Sequence, residues 1–125
     1  MKYLLDTHIL LWAAAFDEKL PENVRKILSD RRFDICYSVI NCWELALKES
    51  KGKILLPEHF FTQLPSMGFP CLPVKEAHIL SLRRLPAGHG DPFDRMLLAQ
   101  ADAEGRTLIT RDATLAHYPV QTWIV

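Results

Sequence analysis

The sequence has little of what marks a secreted, zinc-ribbon or membrane protein. Its 125 residues include three cysteines, Cys36, Cys42 and Cys71, with no C-x-x-C pair. An odd count without that spacing argues against a disulfide framework and a zinc ribbon. It suits a reducing cytoplasm, which is the expected location. The five histidines show no H-x-x-x-H spacing. No apolar run approaches the roughly 20 residues of a membrane span. The opening M-K-Y-L-L-D-T-H meets an acid at position 6, so no signal-peptide core is expected. Fifteen basic residues balance fifteen acidic ones, so net charge predicts no polycationic arm. Any attraction for a polyanion must be local. What is present is apolar material. Hydrophobic residues make up 49% of the chain, enough for a core, and the length fits one domain over residues 1–125.

Patterning divides the chain into alternating elements. Tyr3 to Leu5 read as a short buried strand ending at Asp6, and Thr7 reads as the cap of a helix I-L-L-W-A-A-A-F. L-P-E-N-V-R-K-I-L-S-D carries Pro21 in its first turn and an apolar stripe, hence an amphipathic helix. F-D-I-C-Y-S is a second strand, and Ser38 caps a helix through W-E-L-A-L-K that Gly52 ends. P-E-H-F-F-T-Q-L-P-S-M is a shorter helix. F-P-C-L-P-V, with two prolines, is expected only at a sheet edge. K-E-A-H-I-L-S-L-R-R-L and P-F-D-R-M-L-L-A-Q-A-D-A-E are helices, T-L-I-T and V-Q-T-W-I-V strands, and R-D-A-T-L-A-H-Y a turn with a short helix. Strands alternating with helices imply an α/β three-layer α/β/α sandwich with a mainly parallel central sheet. Such sheets bind ligands outside the carboxyl ends of their strands.

Four acids fall where that rule points. Asp6 follows the first strand, and Asp112 follows T-L-I-T by one residue. Asp94 opens the helix leading into that strand. Glu44 shares a helix face with Ile40 and Leu47, where a bare carboxylate is costly. Each has an ordinary reading alone: a cap for Asp6, a snorkelling side chain for Glu44, a turn for Asp112. Asp94 lies three residues after Asp91, where an acid completes a capping box. Together they call for one explanation, because repulsion among close carboxylates is relieved by protonation or by a cation. Oxygen donors suit Mg²⁺ or Mn²⁺, and such ions commonly serve phosphoryl chemistry. Arg95 and Arg111 flank two of the acids and read either as phosphate contacts or as partners of the carboxylates. Lys48, Lys51 and Lys53 read either as a solvated helix end or as an extension of a nucleic-acid track. His59, His78 and His117 read as helix-surface residues, and His89 as a loop contact.

The stretches L-L-D-T-H-I-L-L-W, S-V-I-N-C-W-E-L-A, D-P-F-D-R-M-L-L-A-Q-A and L-I-T-R-D, in this order over nearly the whole chain, resemble a PIN domain. D-T-H and D-P-F-D-R with W-E between them resemble the VapC toxins of bacterial type II toxin–antitoxin pairs. The resemblance implies that the catalytic, metal-holding quartet is Asp6, Glu44, Asp94 and Asp112. It makes Thr110 the small hydroxyl residue beside the last acid, and Thr110, Arg95 and Arg111 are the substrate-binding candidates. Asp91 is a further acid of this motif subtype, or a helix cap. The resemblance further implies a Mg²⁺- or Mn²⁺-dependent endoribonuclease in a bacterial cytoplasm, often a homodimer, acting on RNA. A cognate VapB-like antitoxin would inhibit it, and operator DNA would be reached only through their complex. Trp12, Phe16, Phe60 and Phe61 could serve a partner, or else belong to the core.

Other folds with acidic pockets fit less well. A receiver domain, a Mg²⁺-binding signalling module, needs its acceptor Asp on a middle strand and a late Lys. A haloacid-dehalogenase-like phosphatase needs a second Asp where His8 stands. A flap-type nuclease usually belongs to a much longer chain. A housekeeping PIN-like nuclease shares the acids but not the toxin role.

Overall fold

The computed structural model describes residues 1–87 and 90–125; the contact expected of His89 lies outside the described residues. Side chains alternate along each strand, and that alternation assigns the two faces of the sheet. Strand β1 (Lys2–Leu5) sends Tyr3 and Leu5 to one side and Leu4 to the other. Strand β2 (Asp34–Ser38) does the same with Ile35 and Tyr37 against Cys36. β3 (Cys71–Leu72), β4 (Thr107–Thr110) and β5 (Thr122–Ile124) complete a sheet of order β3-β2-β1-β4-β5. Every pairing among the described residues is parallel. In the central register Leu4 pairs with Cys36 on one side and Leu108 on the other. The proline-flanked strand is a two-residue edge, as expected of a segment with few N–H groups to donate.

The first face is covered by α1 (Thr7–Ala14), α2 (Glu22–Leu28) and α4 (Phe60–Gln63), which bring Ile9, Leu10, Val24 and Phe60 against Tyr3, Leu5 and Ile109. The second face is covered by α5 (Glu76–Arg84) and α6 (Pro92–Glu104), through Leu97, Leu98 and Ala101 over Leu4 and Leu108. Helix α3 (Val39–Ser50) stands at the carboxyl edge and contributes Ile40 to one cluster and Leu45 to the other. The result is the expected three-layer arrangement, and its sheet is parallel throughout the described residues rather than mainly so.

Four local expectations are corrected. The cap of α1 is Asp6, not Thr7: the helix starts one residue earlier, and the Thr7 hydroxyl is directed at Glu44 instead. Phe16 lies beyond the end of α1 with a φ of 51°, and it is 92% exposed. The segment expected as one helix at 57–67 divides into α4 and a 3₁₀ turn over Leu64–Met67, because Pro65 has no N–H to continue the α ladder. His78 is fully buried rather than on a helix surface. Its Nδ1 accepts from the Lys75 N–H at 3.0 Å, and its Nε2 meets Glu104 Oε2 at 2.8 Å. That bond is the main cause holding the Glu104 carboxyl below the usual range. Among the aromatic residues considered for a partner, Phe60 is core.

Candidate active site

From β1 the chain winds towards β2 and β3, then returns to the far side of β1 for β4 and β5. The winding reverses between β1 and β4. At such a reversal the connections leave in opposite directions and open a crevice at the carboxyl ends of the strands. Asp6 stands just beyond β1 and Thr110 ends β4, so both face that crevice.

Asp6 is buried, and both its oxygens are occupied. Oδ1 accepts from the Thr7 N–H at 2.7 Å, and Oδ2 accepts from the Thr110 hydroxyl. Burial raises its pKa, and the nearby Glu44 adds to the rise; the bonds from Thr110 and Thr7 oppose it. Thr110 Oγ1 also accepts from the Asp112 N–H at 3.0 Å, which ties the Asp6 carboxylate and the Asp112 backbone to one hydroxyl. Asp112 caps the following 3₁₀ turn (Ala113–His117), accepting from Thr114 N at 3.0 Å and from its hydroxyl at 2.7 Å.

Glu44 projects from α3, whose start is set by Ser38 and Asn41. Ser38 Oγ accepts from the Ile40 N–H at 3.0 Å, and Asn41 Oδ1 accepts from the Ser38 N–H at 2.7 Å. Asn41 Nδ2 then donates to Leu5 O and Thr7 Oγ1, both at 3.1 Å. Thr7 in turn donates to Glu44 Oε1 at 2.6 Å. The second Glu44 oxygen meets Lys48 Nζ at 2.8 Å, one turn along the helix. The carboxylate is only 6% exposed, so this pairing answers the cost of placing it among apolar neighbours. Lys48 is held in its charged form chiefly by Glu44. Sequence reading left Lys48 at a solvated end and missed Asn41. The signals were Glu44 and Lys48 at helical spacing and Ser38 followed three residues later by Asn41.

Asp91 and Asp94 separate in role. Asp91 is the cap of α6: its Oδ1 accepts from Phe93 N at 2.8 Å and Asp94 N at 3.3 Å. The Asp94 carboxyl faces the pocket. Its pKa is pushed up to about 7, first by burial, then by Asp6, Asp91, Glu44 and Asp112. Asp91→Ala is therefore expected to lower the unfolding free energy by about 1 kcal/mol in urea titration, whereas Asp91→Asn, which keeps the cap, stays near wild type.

These groups line one cavity of about 500 Å³: Asp6, Glu44, Asp91, Asp94 and Asp112, with Lys48, His8 and Arg111. The expected quartet is thus gathered in one place. Arg111 lies with its guanidinium 5.1 Å over the Trp12 ring. Arg95 turns away into an adjoining cavity. Among the described residues, no three Asp, Glu, His or Cys side chains stand close enough to share one ion in the arrangement seen. The oxygens of Asp6 and Glu44 are taken up by Thr7, Thr110 and Lys48. The donor chemistry nevertheless fits a hard divalent ion. The carboxyls are all-oxygen donors, and their mutual effect on Asp94 marks a pocket short of positive charge.

Solved structures share this fold. VapBC2 from Rickettsia felis, bound to a DNA fragment from its promoter, has a TM-score of 0.68 at 19% identity over 100% of this chain and 99% of that one. DNA-bound VapBC from Salmonella typhimurium has a TM-score of 0.71 at 19% identity, covering 99% and 98%. FitAcB from Neisseria gonorrhoeae has a TM-score of 0.66 at 20% identity, covering 97% and 96%. At these identities the likeness is one of fold. No curated protein matches at a significant level. The model of the PIN domain matches residues 3–121, so that nearly the whole chain, from β1 to the approach to β5, falls within it and the protein belongs to the PIN domain family.

Proposed function

We propose that the chain is a divalent-metal-dependent endoribonuclease acting as the toxin of a type II toxin–antitoxin pair. The observation that carries the reading is the pocket at the β1/β4 reversal, where five carboxyls converge and Asp94 is pushed up to about 7. Asp6, Glu44, Asp94 and Asp112 would hold Mg²⁺ or Mn²⁺. When bound, the ion supplies positive charge to offset that of a phosphodiester and makes water a better nucleophile. The chain's own residues set the geometry. Thr110 and the Thr7 N–H orient Asp6, Thr7 and Lys48 orient Glu44, the capped start of α6 aims Asp94, and Thr114 fixes Asp112. Arg111 at the pocket wall is placed to meet a neighbouring phosphate.

The VapBC assemblies on DNA support a VapB-like antitoxin as partner, with operator DNA reached through the complex; the reading also takes the toxin as a homodimer. Phe16 and Leu55, 92% and 95% exposed, offer apolar contacts on the surface.

Purified protein is expected to cut total RNA with Mg²⁺ or Mn²⁺ and to stop in EDTA. Expression should arrest growth, and co-expression of a small partner encoded beside it should restore growth. Cleavage that survives chelation would overturn the metal mechanism. RNA cleavage without any effect on growth would replace the toxin with a housekeeping nuclease.

A further inference from the structure

A second cavity, of about 610 Å³, adjoins the acidic one, and Asp91, Asp94 and Asp112 belong to both. The rest of its wall has a different character, set by Pro86, Gly90, Arg95, Leu115, His117 and Tyr118. Arg95 is committed to this wall. Its Nη1 donates to Pro86 O at 2.9 Å and to Tyr118 Oη at 3.3 Å, and its guanidinium carbon lies 5.7 Å from the Tyr118 ring centroid. Among the described residues it makes no ion pair with a carboxylate. A flat cation and an aromatic ring, both partly buried, therefore sit side by side at the edge of the acidic pocket. Gly90 closes the wall by close approach: a Cβ there would lie 3.1 Å from Tyr118 Oη and 3.5 Å from Arg95 Cδ. The glycine is needed for space, not for a left-handed backbone.

We propose that this cavity is a nucleoside subsite, which takes the base and ribose of a nucleotide flanking the scissile phosphate. The proposal rests on the ribonuclease reading and deepens it. Three features favour a nucleoside. The cavity is within the usual range for a small-ligand site, roughly 300–1,000 Å³. Every base has a π face that stacks on an aromatic ring or a guanidinium plane. The shared carboxyls make the two cavities continuous, so a phosphate at the acids has its own nucleoside next to Tyr118 and Arg95. A base can enter only when it is unpaired, so cleavage falls in single-stranded RNA. Tyr118 and Arg95 are specificity-determining residues in this arrangement. Asp6 and Glu44 do not line this cavity.

The test compares wild type, Tyr118→Ala and Gly90→Val on a random-sequence RNA pool, with cleavage sites read by sequencing and kcat and KM measured on one preferred substrate. Binding of the four nucleoside 5′-monophosphates is followed in parallel by NMR on the metal-free proteins. Wild type is expected to show a nucleotide preference at one position beside the cut and mononucleotide shifts at Tyr118 and His117. Tyr118→Ala should flatten the preference and raise KM about tenfold or more, with kcat within a few-fold. Gly90→Val keeps the ring but crowds it, because the new Cβ meets Tyr118 Oη at 3.1 Å, so it gives the same loss by filling the wall rather than by deleting the aromatic side chain. An unchanged site preference in both variants, or a fall in kcat alone, would overturn the subsite. Mononucleotide binding at Tyr118 in a protein that cuts no RNA would keep the subsite and remove the ribonuclease reading. Cutting without preference and without such binding would do the reverse.

Discussion

Asp94→Asn is expected to slow RNA cleavage by about a thousandfold or more and, in EDTA, to raise the melting temperature by a few degrees. The two effects have one origin. Asp94 is placed where burial and four neighbouring acids oppose its charge, and its pKa is pushed up to about 7. The folded protein therefore keeps this proton to a higher pH than the unfolded chain does. Its stabilising contribution is complete below the ordinary aspartate value of 3.8 and is lost as pH rises through about 7. Metal-free wild type should lose stability between about pH 4 and pH 7 and stay level above that. The change is of the order of 1–2 kcal/mol, because the carboxyl is partly solvated and the full linkage is screened. Asparagine carries no charge, so that slope disappears and the variant is the more stable at pH 8. Thermal melts at several pH values in EDTA, beside RNA cleavage in Mg²⁺, measure both effects. A variant that still cuts RNA, or a wild type whose metal-free melting does not fall with pH, removes Asp94 from the centre of the site.

Much of this arrangement can be read from the sequence, because the signals involved are local. Alternating apolar residues in Tyr3 to Leu5 and in I-C-Y specify strands whose two faces both need covering, and the structure covers both. The prolines at 70 and 73 confine β3 to the edge, and Gly105, at a φ of 65°, ends α6 where the pattern stops. Acids placed at strand ends need no tertiary knowledge beyond the ligand rule for parallel sheets. What escapes the sequence depends on partners far along the chain. Thr7 is as good a cap as Asp6 by residue type, and only the Glu44 carboxylate, 37 residues on, decides between them. His78 looks like a surface residue from the spacing of α5. It is buried because Glu104, 26 residues later, and the Lys75 N–H satisfy both ring nitrogens. Arg95 beside Asp94 reads as a phosphate contact or as a partner of the acids, and sequence offers no sign of Tyr118, 23 residues away, which draws it into the second cavity.

Lys48→Met is expected to cost the metal-free protein about 2 kcal/mol, and added Mg²⁺ or Mn²⁺ should restore most of that loss. Lys48 bonds Glu44 at 2.8 Å and its charge is favoured also by Asp91 and Asp94, so its ammonium is a positive charge already serving the acidic pocket. Methionine keeps the apolar stem and removes the charge. Glu44 is then left with the Thr7 hydroxyl alone, and an unpaired buried carboxylate costs several kcal/mol. The loss is smaller here because the lysine is 36% exposed and water reaches the site. A cation that binds the folded protein stabilises it by mass action, about 2.7 kcal/mol at a hundred times its dissociation constant. The metal-dependent gain in melting temperature should accordingly be larger in Lys48→Met than in wild type, because the ion no longer competes with an ammonium. Melting curves over a metal titration, repeated with Ca²⁺ to check for a hard-ion preference, give the comparison. Equal gains in the two proteins would mean that Lys48 and the ion do not share the pocket, and Glu44 would then be a structural acid held by Thr7 and Lys48.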